Sequence, residues 1–476
     1  MPTAAPRQGF MRRLLSLAGG AAVGQAITVL ASPVISRRYS PAEIGAFGVF
    51  TTTALLLNST NSVRYEMAVP IAQDEESAGH LVWLCFLLVT VFSLLLGGVI
   101  VAWGGPFCRL VKAPSLVSIL WLLPVTTAAA GFFEPLNFYA IRRNDFKALA
   151  QARVVQGGVQ SGIQVVLGFF GGGTTALVGG DLAARVLSAL RLAKDGAVTG
   201  IFRRFPWAGI RRAAVDYARF PRLMAGASIL NLTAIQIPFL LIPGFLGPEP
   251  AGHYFLAYRT LFLPANFIGG AISQVFLGEA ASRAREGEGL QMLTTRIFLV
   301  LAAAYLPLYT VCFAGAGRLF PLVFGPKWGE AGSVAQVLAP MVLTWSLARP
   351  LAGLLMVRDR LKESLGFTML ELAGTTLAVY LGARSGSVYR TALALTIAGI
   401  LVSTTSVLRF LHAAEVDLGS TFIRFAGLAA INMPLGLLVW WVNRAAGPWL
   451  TLLAALAGTG AVALFTLKFL RRARVL

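Results

Sequence analysis

Hydrophobic residues in this chain come in long unbroken runs. The segment HLVWLCFLLVTVFSLLLGGVIVAW (80–103) would be apolar on every side of a helix, and similar runs recur along the sequence. A bilayer core about 30 Å thick is crossed by about 20 residues of α-helix, so each run can make one span. Membrane-spanning strands would alternate apolar and polar residues, and these runs do not. The pattern predicts an all-α polytopic membrane protein with about 14 transmembrane helices. Their approximate limits are 14–36, 42–62, 80–103, 115–141, 148–170, 174–192, 222–243, 251–277, 293–315, 333–356, 364–383, 389–410, 424–443 and 449–469. The first run, from Leu14 to Ser36, exceeds the about 7–15 residues of a signal-peptide core and reads as a retained helix.

Connections are short except for the one between the sixth and seventh spans. With the N-terminus inside, the inside segments hold 26 Lys and Arg residues against 9 outside. The excess of basic residues on one side predicts cytoplasmic termini at both ends. The long connection, 193–221, contains RRFPWAGIRRAAVDYARFPR. Its basic pairs and aromatic residues predict an interfacial helix on the inner leaflet, with anionic membrane lipids as partners.

Two halves of the chain share landmarks. Pro41, Gly45 and Phe47 are matched by Pro248, Gly252 and Tyr254 at an offset of 207. Pro124, Pro135 and Arg143 are matched by Pro340, Pro350 and Arg358 at offsets of 216, 215 and 215. An even number of spans per copy keeps the halves parallel, as in two-lobed transporters with a site between lobes. The expected organisation is an N-terminal six-helix lobe (1–192), the basic connection (193–221), a pseudo-symmetric C-terminal six-helix lobe (222–411) and a final helix pair with a basic tail (412–476).

Composition agrees: 57% of residues are hydrophobic and 13% charged, against about 25% charged in ordinary globular domains. The formal net charge of +20 does not point to nucleic acid, because no connection is long enough to make a soluble basic face. Cys85, Cys108 and Cys312 are scattered and read as packing residues. His80, His253 and His412 are far apart, and Gly171–Gly173 has neither the strand nor the lysine of a phosphate loop. No catalytic residue, metal site or cofactor is expected, and the chain does not read as an enzyme.

The candidate chemistry is the set of ionisable residues in or beside the spans. An arginine at mid-bilayer costs at least about 2.5–3.5 kcal/mol unless it faces protein or water. Arg153, Arg185, Arg259 and Arg349 fall inside predicted helices and Arg64 closes the second; Glu66, Glu134, Asp181, Glu279 and Glu371 are their acidic counterparts. Asp181 and Arg185 are spaced i,i+4 to satisfy each other, and Arg64 with Glu66 reads as a local pair. Arg259 has no acidic residue within four positions and lies mid-span, which makes it the leading candidate for an anion ligand. Arg64, Arg153 and Arg349 complete the candidate binding set, with Glu66, Asp181 and Glu371 as candidates for proton or ion coupling.

Several stretches resemble a known family. GGAAVGQAITVLASPVISRRYSPAEIGAFGVF, NSVRYEMAVPIAQDEESA, AGHYFLAYRTLFLPANFIGGAISQVF and FGPKWGEAGSVAQVLAP resemble Wzx-type polysaccharide flippases, the O-antigen and exopolysaccharide transporters of the multidrug/oligosaccharidyl-lipid/polysaccharide exporter superfamily. The resemblance implies two six-helix lobes around a cavity and a last helix pair. By resemblance to the related lipid II flippases, Arg259 falls at a pyrophosphate-holding arginine and Arg64 matches more loosely. This chain differs in having no arginine within its first span, since Arg37 and Arg38 come at its outer end. The implied function is alternating-access transfer of undecaprenyl-pyrophosphate-linked oligosaccharide from the cytoplasmic to the periplasmic leaflet of the bacterial inner membrane, with a polysaccharide polymerase as a candidate partner. A drug/cation antiporter of the same fold and a non-transporting scaffold for glycan-assembly enzymes are the alternatives. A cation exporter calls for unpaired cavity carboxylates, and neighbouring genes for glycosyltransferases and a polymerase would favour the flippase.

The charge asymmetry is testable with topology reporters. Fusions at Gly209 should be active only in the cytoplasm and fusions at Lys327 only in the periplasm. A Gly209 fusion active in the periplasm would reverse the orientation.

Overall fold

The computed structural model describes residues 6–194, 200–201 and 205–472, and every regular element among them is helical. Arg203, Arg204 and Arg474, counted above as inside charges, lie outside the described residues. Backbone groups in hydrocarbon have no water to bond, so each apolar run closes its hydrogen bonds within a helix. The helices are α1 (Pro6–Arg38), α2 (Pro41–Asn58), α3 (Glu75–Leu110), α4 (Leu122–Arg142), α5 (Phe146–Phe169), α6 (Gly173–Ala193), α7 (Trp207–Asp216), α8 (Gly226–Gln236), α9 (Pro238–Leu246), α10 (Pro248–Glu286), α11 (Gln291–Phe324), α12 (Gly329–Ala348), α13 (Gly353–Val357), α14 (Leu361–Ala383), α15 (Val388–Ala413), α16 (Leu418–Ala445) and α17 (Pro448–Arg472).

Polar residues between the runs set the helix starts. Ser40 and Glu43 form a capping box ahead of α2, and Asp74, Asp145 and Asp417 accept backbone amides at the starts of α3, α5 and α16. Each satisfies an otherwise orphaned N–H, and the Ser77 amide holds the Asp74 carboxyl below its ordinary range. Gly247 occupies the N-cap position of α10 without a side-chain cap, at φ 91°, a backbone region open to glycine.

Each of the fourteen predicted spans falls on a helix or a broken helix. Among the described residues eight helices are long and apolar enough to cross a membrane, and α8 with α9 qualifies as a ninth, broken span. The seventh span, expected as one helix over 222–243, is therefore corrected: it breaks at Ile237, where Pro238 lacks an amide donor and disfavours helical backbone before it. The tenth span is also interrupted, between α12 and α13 at Arg349–Leu351.

The chain divides into two compact units, Met1–Gln236 and Ile237–Leu476. Residues 222–236, read from the sequence as the start of the second lobe, group with the first unit. Within that unit α1 lies along α5, α5 along α6, and α3, α6 and α2 along α4. Within the second unit the same order of neighbours recurs: α9 meets α14, α14 meets α15, and α11, α15 and α10 meet α12. Two final helices, α16 and α17, pack on α11 and on each other.

The basic connection differs from expectation. Ile210 and Ala213 of α7 are buried in a core with Leu81, Val82, Tyr139 and Leu149. Tyr65 donates to the Ala214 carbonyl at 2.9 Å, and the Trp83 indole donates to the Ile201 carbonyl at 3.0 Å. The apolar face of α7 is thus used by the protein rather than by the leaflet, while Trp207, Arg211 and Arg212 remain exposed.

Close packing of α1 on α5 rests on small residues. A methyl group on Gly24 would collide with the Arg153 carbonyl, and one on Gly157 with the Gly24 carbonyl. Gly20 and Gly24 form a small-xxx-small step, which lets two backbones approach where lipid supplies no hydrophobic drive. Gly157→Leu should overpack this crossing, at a cost of about 1–3 kcal/mol or more, and lower both the melting temperature and the membrane-inserted yield. Gly158→Leu, where an added Cβ meets nothing within 4 Å, should leave both near wild type. Equal melting of the two variants would remove the glycine contact as the reason α1 and α5 stay together.

Candidate functional site

In the first unit α2 ends at Asn58 because the next residues compete for its carbonyls. Ser59 donates to the Leu56 carbonyl at 2.7 Å and Thr60 to the Leu57 carbonyl at 2.8 Å, the local bonding by which short polar residues unravel a helix. Arg64 therefore does not close the second helix, as the sequence suggested. It lies beyond it in left-handed backbone, φ 68°, ahead of a short 3-10 helix, Tyr65–Ile71. From there its Nε and Nη2 reach the Ser228 hydroxyl of α8 at 3.1 and 3.0 Å, and its Nη1 reaches Glu66 at 3.3 Å. The Glu66 side chain is only 4% exposed, and its other oxygen accepts the Ser62 hydroxyl at 2.6 Å.

Asp181 and Arg185 meet at 2.7 Å on α6, as their spacing predicted. Arg153 on α5 donates to Gln156 at 3.3 Å and lies over the Phe133 ring at 5.2 Å. Glu134 on α4 draws the group together. It lies within electrostatic reach of Arg153, Glu66, Arg64 and Arg185, surrounded by protein yet partly accessible. The fold thus gathers Arg64, Glu66, Arg153 and the Asp181–Arg185 pair around a carboxylate that was not a candidate site residue. Each charge in this set has an opposite charge nearby, which is what makes burial of ions tolerable.

In the second unit Arg259 is half-buried on α10, directly after Tyr258. Arg349 was expected inside a helix. It stands instead in the single 3-10 turn after α12, because Pro350 cannot donate within the turn. There it lies over Trp345 at 5.0 Å. Glu371 on α14 accepts the Trp345 indole N–H at 3.4 Å, and Tyr258 feels the charges of both Glu371 and Arg349. Tyr258 stacks on Phe262 at 3.8 Å, and Phe262 meets Trp345 edge-on at 4.7 Å.

The sequence reading passed over Glu134, Ser228, Tyr258 and Trp345 as site residues. One signal was present: Glu134-Pro135 stands at the repeat offset of 215 from Arg349-Pro350. The landmark proline is shared, and the residue before it exchanges an acid for a base. Among the described residues no group of three His, Cys, Asp or Glu is placed to hold a metal ion.

Residues 34–335 match the family model described as polysaccharide biosynthesis protein. The chain is 28% identical over 313 residues to the succinoglycan biosynthesis transport protein ExoT of Rhizobium meliloti, covering 64% of this chain and 61% of that one. It is 25% identical over 208 residues to the lipopolysaccharide biosynthesis protein WzxC of Escherichia coli, covering 44% and 42%. These matches thus span about half of the relatives' own lengths. In fold it resembles the lipid II flippase MurJ in an inward closed conformation, with a TM-score of 0.74 at 9% identity over 97% of this chain and 99% of that one. It also resembles an inward-facing multidrug resistance MATE family transporter of the MOP superfamily, with a TM-score of 0.63 at 15% identity over 83% and 99%. The two solved neighbours are named as a flippase and a transporter, and this chain shares their all-helical fold. With the family model matching well over half of its length, this chain belongs to the polysaccharide biosynthesis protein family.

Proposed function

We propose that the protein is an alternating-access flippase that moves undecaprenyl-pyrophosphate-linked oligosaccharide from the cytoplasmic to the periplasmic leaflet of a bacterial inner membrane. The observation that carries this reading is the family match to polysaccharide biosynthesis proteins, on a fold shared with a lipid II flippase. In this reading both termini are cytoplasmic, and a polysaccharide polymerase takes up the product.

The arginines supply the chemistry. A guanidinium offers planar paired donors that fit a pyrophosphate anion. Arg259, Arg64, Arg153 and Arg349 are all partly accessible side chains, and an arginine within a span must face protein or water to be tolerated. Direction follows from the membrane potential: with the inside negative, each anionic charge moved outward gains up to about 2.3 kcal/mol per 100 mV. Ion coupling through Glu66 or Asp181 would require either carboxylate to release its arginine first, since each is ion-paired at 3.3 and 2.7 Å. The drug-antiporter reading rests on likeness of fold alone, at 15% identity to the multidrug transporter.

The reading is tested at Arg259. Arg259→Ala should abolish surface glycan while the protein inserts at normal abundance. Arg259→Lys should restore export only in part, because an ammonium keeps the charge and loses the paired donors. Full export by Arg259→Ala at normal protein level would remove Arg259 as the anion ligand, and a scaffold without transport activity would give that result for each of the four arginines.

A further inference from the structure

Four side chains of the second unit have no part in the pyrophosphate chemistry, and they surround a fifth, Arg349, that was counted among its arginines. Tyr258 and Phe262 on α10, Trp345 on α12, Arg349 in the following turn and Glu371 on α14 are joined by ring contacts of 3.8 and 4.7 Å, the arginine over Trp345 at 5.0 Å and the indole bond to Glu371 at 3.4 Å. Here Tyr258, Trp345, Arg349 and Glu371 each keep part of their surface accessible, and only Phe262 is fully buried.

That surface does not suit lipid. Glu371 lies in the middle of α14, and an ionisable group exposed to hydrocarbon there would be costly. At about 100° per residue it falls on the side of α14 opposite Met369, Ala373, Thr376 and Tyr380, which line an apolar groove with Leu241 and Phe245. Glu371 therefore points away from that groove.

The chemistry of the cluster narrows the ligand. A pyrophosphate would be repelled by Glu371, and a drug-like cation by Arg349. A neutral polyhydroxy ring meets neither objection. Its C–H faces carry slight positive charge and settle against the negative face of an aromatic ring. Its hydroxyls can donate to a carboxylate and accept from a guanidinium. The Trp345–Glu371 hydrogen bond is long enough for a hydroxyl to compete for the carboxylate.

We propose that Trp345, Glu371 and Arg349, backed by Tyr258 and Phe262, form a sugar-stacking subsite for one pyranose ring of the transported glycan. This inference rests on the flippase reading above and separates recognition of the glycan from recognition of the pyrophosphate.

The test uses the full-length protein in proteoliposomes and two radiolabelled probes: lipid-linked oligosaccharide extracted from polysaccharide-producing cells, and bare undecaprenyl pyrophosphate. Wild-type protein should bind both, the glycolipid more tightly. Trp345→Ala should weaken glycolipid binding about tenfold and leave bare undecaprenyl pyrophosphate unchanged. Trp345→Tyr, which keeps a ring, should retain most of the preference, and Glu371→Gln should lose part of it. Should Trp345→Ala fail to fold, the Trp345→Tyr and Glu371→Gln pair decides by the same ratio of the two affinities. An unchanged ratio in Trp345→Ala and Glu371→Gln overturns the subsite while leaving the flippase reading intact. Wild-type binding of neither probe overturns that reading and the subsite with it. Ethidium binding that Trp345→Ala abolishes, with glycolipid binding intact, would assign the cluster to cations instead.

Discussion

Hydrocarbon offers no partner to a polar group, and the rest of this structure follows from how its polar groups are housed. Backbone amides and carbonyls are closed within helices, which leaves the helix ends and the intramembrane ions to be satisfied by side chains. The ends are met by serines and aspartates in the turns. The ions are met inside each unit: Arg185 by Asp181, Arg64 by Glu66 and Ser228, and Glu371 by the Trp345 indole. Such groups contribute little net stability after desolvation.

Housing these ions requires helices that pack tightly, and lipid provides no hydrophobic force between them. Small residues supply the fit. The α1–α5 crossing uses Gly20, Gly24 and Gly157, and Arg153 sits on α5 within that same crossing. Gly382 on α14 is packed against the Arg390–Thr391 backbone of α15 in the same way. Packing and chemistry are thus linked through the backbone: the glycines that allow α5 to approach α1 also set where the Arg153 side chain starts.

The two units share a frame and differ in what they place on it. Each repeats the same order of helix neighbours, and each has a proline at corresponding positions of its fourth helix, Pro135 and Pro350. The residue before that proline is Glu134 in the first unit and Arg349 in the second. Arg153 on α5 lies within electrostatic reach of Glu134, while Arg349 and Glu371 on α14 both contact Trp345. The first unit surrounds its acid with arginines. The second surrounds its base with Tyr258 and Trp345. A repeat with the charge exchanged thus places chemically distinct side chains on one architecture.

Much of this was legible in the amino-acid order. Unbroken apolar runs determine an all-α membrane protein, since only helices close their own hydrogen bonds over such a length. The repeat landmarks anticipated the recurring neighbour order, spacing predicted the Asp181–Arg185 pair, because residues four apart share a helix face, and Arg64 with Glu66 was legible as a local pair. Other features depended on the tertiary structure. Ser228 bonding Arg64, Glu134 lying among the arginines and Trp345 bonding Glu371 join residues from different helices. Their meeting is set by crossing points that small residues permit without specifying. The basic connection is the clearest case. Its sequence is amphipathic, which suits a lipid surface and a protein surface alike, and only the apolar floor built by α3 and α4 determined that Ile210 and Ala213 would be buried in protein.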